Sequence, residues 1–554
     1  MKKTFSTAAL LLIFLPFLFS LSFDDPGDIR DLASRLTEAM TDEQALAQTF
    51  MLGWVGAEPS PLIMDWIRNR NIGGVKIFGW NTDDTLRLAQ TVGVLQENAL
   101  ATRFGIPLLI ATDQEGGLVR HVRGDTSDTP GNMAIGASGR PIDAYWAGYY
   151  IGRELALLGI NMNFAPTVDL FTNHDSVLIG PRSFGSDPVH AGVLGAAFAR
   201  GQREHGIIAT AKHFPGHGDT ALDSHGVLPR IYASMDLLWD RELIPYRFLI
   251  REGIPAIMSA HLAFPNTPAG GTPASLSSWF LSDTLRDRMG FDGVIITDDL
   301  MMVGATIYTN SLSRAARQAL ASGNDIVMFS STPHLFDPVW THLLASMRED
   351  PVFRERVRDA CRRVLLLKLQ HLRGENKVPY MPDLATVQAG IVDPEGSAFF
   401  LDLAARSVTL VVNGDDVFPL SPQTAGRVLL AGNFTEFHNV GQRAFPSSVS
   451  SRYSFSQGAQ ELAPLVRSAD TVIFLVSNRA GLRVLQELRR MVNMDAKNII
   501  VFSVLSPAYL DELSWVDGAV AVYSSASQSF IAGFSAMLGR IPKKGTLPFT
   551  MNGN

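Results

Sequence analysis

The chain has 554 residues, too many for one hydrophobic core, so two domains or more are expected. Its net charge of −7 is spread along the length without a basic cluster, which excludes a nucleic-acid-binding footprint. A single cysteine, Cys361, excludes an intrachain disulfide; it lies in a helical pattern that points to packing, so stability has to come from the cores.

Met1-Lys-Lys precedes a continuous apolar run from Ala8 to Phe19, followed by Ser20-Leu-Ser22 and the polar Asp24-Asp-Pro. A charged start, an apolar stretch short for a membrane span and small residues at its exit make residues 1–22 a secretory signal peptide. The expectation is an exported protein, periplasmic or extracellular, with no stable membrane insertion after cleavage. An uncleaved signal anchor is the alternative.

A helical stretch from Ile29 to Met40 leads into Thr41-Asp-Glu-Gln44, which has the form of a capping box. Short apolar runs then recur at Thr49–Trp54, Gly74–Phe78, Pro107–Thr112, Asn161–Pro166, Ile207–Ala211, Ala256–Ala260, Gly293–Thr297 and Asp325–Phe329. Helix-length amphipathic segments lie between most of them, among them Thr85–Thr102, Asp143–Leu158, Pro188–His205, Met235–Arg251 and Leu276–Met289. Runs without period-two alternation fit strands covered on both sides. Eight such units predict a TIM-type (β/α)8 barrel over residues 28–373, in α/β class. A doubly wound sheet is the rival. Against it, polar groups follow strand after strand: Asp113-Gln-Glu115, Asp169, Lys212-His213, His261 and Asp298-Asp299. In a barrel they converge on one mouth. A long helix, Arg354–Gln370, and a polar linker over 374–395 lead to a second alternation, read as a smaller open α/β sandwich domain over 396–554.

The stretch Ala211-Lys-His-Phe-Pro-Gly-His-Gly-Asp-Thr-Ala-Leu-Asp-Ser-His225 is the densest in chemistry. Repeated histidines and aspartates just past a strand are unnecessary for packing, and a merely solvated loop favours Ser, Asn and Lys. In Asp223-Ser-His225 an extended segment puts residues two apart on one side, so the carboxylate reaches the imidazole and equips it for acid–base work. Asp298 and Asp299 end a strand, where alternation sends one carboxylate into the mouth and the other away; a helix N-cap is the competing use. Asp113, Arg182, Lys212 and His213 suit recognition of hydroxyls or anions, or equally structural ion pairs. His213, His217, His225, His261 and several aspartates could make a zinc site, but the first strand run ends without His or carboxylate and no H-E-x-x-H occurs, so no metal is expected. A non-catalytic sugar-binding protein would explain the polar strand ends without requiring the Asp–His pair.

Lys212-His-Phe-Pro-Gly-His-Gly-Asp-Thr220, with Asp223-Ser-His225 and Leu228-Pro229, resembles the signature loop of β-N-acetylglucosaminidases in glycoside hydrolase family three. Ile72-Gly-Gly-Val75, Asp113-Gln-Glu-Gly-Gly117, Asn163-Phe-Ala-Pro166 with Asp169, Arg182-Ser-Phe-Gly185, Met258-Ser-Ala-His261 and Gly290-Phe-Asp-Gly-Val294 follow in that family's order. The resemblance implies a retaining mechanism, with Asp298 as nucleophile and His225, held by Asp223, as acid and base. It implies that Asp113, Arg182, Lys212 and His213 bind the sugar, that the partner is a carbohydrate containing N-acetylglucosamine, and that there is no cofactor. Glucoside-cleaving or phosphorolytic chemistry is the alternative within the same family. Leu118 stands where the family often has Arg after the double glycine, with Arg120 two residues on, and Pro181 before Arg182 is a second departure.

Overall fold

The computed structural model describes residues 26–334, 337–414 and 417–551. The proposed signal peptide lies outside the described residues. Among these, no helix is long and apolar enough to cross a membrane.

Eight parallel strands close into a barrel: β1 (Phe50–Leu52), β2 (Gly74–Ile77), β3 (Leu109–Thr112), β4 (Met162–Asn163), β5 (Ile208–Phe214), β6 (Ala256–Ser259), β7 (Val294–Asp299) and β8 (Ile326–Phe329). Each pairs with its sequence neighbours, and β1 closes on β8 with Phe50 opposite Val327. Every one of the eight apolar runs supplies a strand. Inside the barrel a single cluster of Met51, Leu109, Ala111, Met162, Ile208, Ala256, Met258, Val294, Ile296, Ile326 and Met328 fills the lumen. These alternate along their strands, as period-two geometry requires. Continuing the same parity upward gives Lys76 on β2, Asp113 just past β3, Lys212 on β5, Asp298 on β7 and Ser330 just past β8. The apolar series that packs the lumen therefore ends in the polar groups of the mouth.

Some helices depart from the expected form. The segment expected as one helix from Met235 to Arg251 is two, Met235–Asp240 and Leu243–Arg251. Between them Arg241 turns to bind Asp219 at 2.6 Å and the adjacent Glu242. The segment expected as a polar linker carries a short helix, Leu384–Gly390, which buries Val387. Thr41 forms the capping box with Gln44, as its spacing predicts.

The helix Pro351–His371 plugs the lower end of the lumen with Val364 and Leu367, and buries Cys361. It also buries Lys368, whose ammonium donates to Gln48 Oε1 at 2.9 Å. Burial pushes that ammonium down to about 7. An unfolded lysine keeps its proton to about pH 10, so between about pH 7 and 10 the unfolded chain binds more protons and stability rises with pH. Lys368→Met is expected to raise stability at pH 7, with the gain shrinking as pH approaches 10. Denaturant unfolding of both proteins across that range checks it; a gain independent of pH would refute the assignment.

The second domain is a six-stranded sheet. Its strands are β9 (Thr409–Asn413), β10 (Val428–Ala431), β11 (Val449–Ser451), β12 (Thr471–Val476), β13 (Asn498–Ser503) and β14 (Gly518–Ala521), in the order β9-β14-β13-β12-β10-β11. Only β9, at one edge, is antiparallel. Its apolar layers bury the two faces separately. The domains meet through a cluster of Met133, Ala134, Phe171, Tyr523 and Phe549, and through the Arg406–Asp143 pair, while Arg153 holds Asp393 at the end of the linking segment. The closing segment bears on the site. Ser186 N–H donates to Pro548 O at 2.9 Å, and a Cβ on Gly185 would lie 2.2 Å from that oxygen. The second domain thus braces the turn that carries Arg182.

Candidate active site

A cavity of about 450 Å³ opens at the C-terminal end of the barrel. Its walls include Asp113, Arg182, Lys212, His213, His225 and Asp298, all drawn from the sequence-derived set. Asp223 stands behind His225.

Ion pairing organises the floor. Lys212 Nζ lies 2.5 Å from Asp113 Oδ1 and 2.5 Å from Glu115 Oε1. Arg182 grips Glu115 with two parallel bonds of 2.8 and 2.9 Å. Such a fork fixes both planes at once. Burial alone would raise the Glu115 carboxyl, but the Arg182 and Lys212 charges outweigh it and hold it at about 2. Burial raises Asp113 in the same way, and Lys212 and Lys76 bring it well below the usual carboxylate range. Both carboxylates are therefore ionised at neutral pH, and the Lys212 proton is held more tightly than usual despite its burial.

His213 sits on a second support. Its Nδ1 lies 2.6 Å from Asp169 Oδ2, and its backbone N–H also donates to Asp169. Its Nε2 lies 3.3 Å from Arg182 Nη2, so it accepts there and Nδ1 carries the proton. Asp169 further accepts from the His217 backbone N–H at 2.7 Å. Burial raises this carboxyl, and the neighbouring His213 leads the groups that bring it down to about 2. One buried aspartate thus holds both the strand end and the loop that follows.

That loop needs glycine. Gly216 has φ of +142°, and a Cβ on Gly218 would lie 1.5 Å from the Leu170 carbonyl oxygen. His217 Nε2 reaches Ser224 Oγ at 3.2 Å, and burial pushes its imidazole down to about 4. Asp219, bound to Arg241, braces the loop from outside the cavity, whereas His217 both ties the loop to Ser224 and lines the cavity wall. The tip is solvent-exposed. There His225 Nδ1 lies 2.7 Å from Asp223 Oδ1, and the His225 backbone N–H donates to the same oxygen at 2.9 Å. The pair leaves His225 Nε2 free for proton exchange.

Asp298 accepts the Asp299 N–H at 2.8 Å. Burial raises its carboxyl, but His213 and His261 leave it below its ordinary value, hence ionised. Alternation at the strand end gives way to a turn, so both aspartates reach the cavity wall. Asp299 is committed to the backbone N–H groups of Met301 and Ser330, at 3.0 and 3.1 Å. It caps no helix: the helix Val303–Thr309 follows Met302. His261 is buried between the Ser275 hydroxyl and the Asp299 carbonyl, to which its Nε2–H donates at 3.0 Å. His213, His217, His225 and His261 thus each engage in a hydrogen bond.

Glu115, Lys76 and His121 join the site without a motif-level signal of their own in the sequence. Glu115 is the hub of the floor. Lys76 and His121 line the cavity beside Asp113. A charge at the inward parity of the apolar run Gly74–Ile77 was the available signal for Lys76. Arg120 lies outside this cavity: it pairs with Asp128 and, together with Leu118, lines a separate gap shared with Ser524 and Ser525 of the second domain.

Residues 43–367 match the family model described as the glycosyl hydrolase family 3 N-terminal domain. A β-hexosaminidase A of Pseudoalteromonas piscicida is 31% identical over 382 residues, which cover 65% of this chain and 62% of that protein. A β-N-acetylglucosaminidase/β-glucosidase of Cellulomonas fimi is 31% identical over 446 residues, covering 77% of this chain and 74% of the relative. Among solved structures, a glycoside hydrolase family 3 β-N-acetylglucosaminidase from Paenibacillus sp. str. FPU-7 superposes with a TM-score of 0.84 at 28% identity, over 93% of this chain and 100% of that one. The matched span runs from before the first barrel strand to the helix that plugs the lumen, and it contains every residue of the cavity described above; the chain belongs to glycosyl hydrolase family 3.

Proposed function

We propose that the chain is an exported, retaining β-N-acetylglucosaminidase that removes terminal β-linked N-acetylglucosamine, from peptidoglycan fragments or chitin oligosaccharides. The observation that carries this reading is the His225–Asp223 contact of 2.7 Å at the rim of the cavity that holds Asp298. In the proposed mechanism the ionised Asp298 attacks the anomeric carbon while His225 Nε2–H protonates the departing oxygen, giving a covalent glycosyl–enzyme intermediate. His225, now neutral, takes a proton from water as it displaces Asp298. Asp113, Arg182, Lys212 and His213 hold the sugar. The hexosaminidase names of the relatives support the choice of sugar, and the leader over residues 1–22 supports export.

The test is a panel of p-nitrophenyl β-glycosides. N-acetylglucosaminide is expected to exceed glucoside in kcat/KM by about a hundredfold. Equal turnover of both would sink the assignment of the sugar, and tight sugar binding without turnover would favour a binding protein. Cell fractionation tests export.

One feature favours phosphorolysis as a second reading. The proposed base is a histidine, and a neutral imidazole repels an incoming phosphate less than a carboxylate does. Hydrolysis predicts free sugar as the only product with inorganic phosphate present; a sugar phosphate would establish the second reading.

A further inference from the structure

We infer that Lys76 and His121 form a hydroxyl-reading pair in the cavity: Lys76 fixes His121 as a neutral Nε2–H donor beside the Asp113 acceptor. The inference rests on the glycosidase reading and deepens it by adding a sugar contact outside the signature loop.

Donor counting carries it. A lysine ammonium has three protons to give and no lone pair. Lys76 is fully buried and has three acceptors: Asp113 Oδ2 at 2.8 Å, its neighbour Ile77 O at 2.9 Å and His121 Nδ1 at 3.1 Å. No proton remains for a ligand, so Lys76 is a positioning residue. Because the ammonium can only donate, His121 Nδ1 is the lone-pair nitrogen and the ring proton resides on Nε2.

The surroundings hold this arrangement. The Lys76 ammonium sits over the Phe78 ring at 4.3 Å from its centre. His121 packs on the same ring at 5.6 Å, and Phe78 stacks on Trp80 at 4.6 Å. Trp80 in turn donates its indole N–H to Trp54 O at 2.7 Å. The imidazole is therefore held by an aromatic stack on one side and an ammonium on another, while His121 remains about a quarter exposed to the cavity.

The charges facing the ring are Lys76, Lys212, Asp113 and Glu115. Burial, followed by the Lys76 charge, pushes the imidazole down to about 4. An imidazolium would aim an Nδ1–H at the Lys76 ammonium. The neutral ring avoids this. Asp113 is fixed at both oxygens, by Lys212 on Oδ1 and Lys76 on Oδ2, with its remaining lone pairs available. A fixed acceptor beside a fixed neutral donor matches what one sugar hydroxyl needs, since a hydroxyl both gives and takes a hydrogen bond.

The test is nitrogen NMR on the full chain labelled with 15N-histidine, with the His121 signal identified by its loss in His121→Phe. The neutral Nε2–H pattern is expected from pH 8 to about 5, and the Nε2 signal is expected to move on adding N-acetylglucosamine. In Lys76→Met the protonation midpoint of His121 is expected to rise by about one unit or more. On an aryl N-acetylglucosaminide, His121→Phe is expected to raise KM about tenfold with a smaller change in kcat. An Nδ1–H tautomer, a charged ring at pH 6, or an unmoved signal with sugar bound would overturn the pair. The tautomer is read on the wild type without turnover. Failure of the glycosidase reading therefore shows as absent hydrolysis with the tautomer intact, and failure of the pair as hydrolysis with the wrong tautomer.

Discussion

Asp298→Ala is expected to lower kcat on an aryl β-N-acetylglucosaminide by about 10⁵-fold, the scale on which a covalent nucleophile acts. The position argues for so large an effect. Asp298 continues the inward parity of Val294 and Ile296, so its carboxylate is delivered by a strand rather than a loop. It is ionised by its surroundings, with His213 and His261 offsetting the burial. Among the described residues its carboxylate accepts one hydrogen bond, from the adjacent backbone N–H, which leaves the second oxygen unencumbered. The substitution removes no buried ion pair, so the fold should persist, and circular dichroism with a thermal melt verifies that. Azide enters the space left by the carboxylate and is expected to restore turnover, giving the α-glycosyl azide because one inversion replaces two. Activity within tenfold of wild type would show that Asp298 is not the nucleophile.

How far the sequence carries to this site depends on which physical signal each residue leaves. The eight strands were legible because both faces are covered, so each appears as an unbroken apolar run between turn residues. Lys212, His213 and Asp298 were legible because they lie at the ends of such runs. Lys76 was hidden by the same logic: it lies inside a run, at an inward position that the lumen would ordinarily fill with an apolar side chain. Glu115 lies within, and His121 just after, a short hairpin, Gln114–Gly116 against Val119–Arg120, which has no periodicity to announce it. The break at Arg241 depends on Asp219, 22 residues away, so local propensity favoured one continuous helix. In the second domain, strand β11 leaves little trace in the sequence, because a short, polar edge strand, Val449–Ser451, lacks the apolar run of a covered strand. Asp299 shows the limit of alternation: the rule holds through Asp298 and ends where the carboxylate can bind the turn's own N–H groups.

His225→Ala is expected to lower kcat by about 10³-fold, within the range for loss of a general acid and base. The loss should depend on the leaving group. A phenol acidic enough to depart unprotonated needs no acid, so a dinitrophenyl glycoside should retain more of its glycosylation rate than a phenyl glycoside. Asp223→Ala should cost less, about 10²-fold, because the imidazole survives and loses only its orientation. Orientation matters here because the pair is exposed, with 68% of the His225 side chain open to solvent, and the bond to Asp223 Oδ1 tethers the ring. The same aspartate oxygen also accepts the His225 backbone N–H, so the substitution loosens loop and ring together. The decisive measurement is the double variant. If Asp223 acts only through His225, removing both should cost no more than removing His225 alone, since a positioning group has nothing left to position. Additive losses would mean that Asp223 contacts the substrate or shapes the loop independently, and the proton would then have to be traced without it.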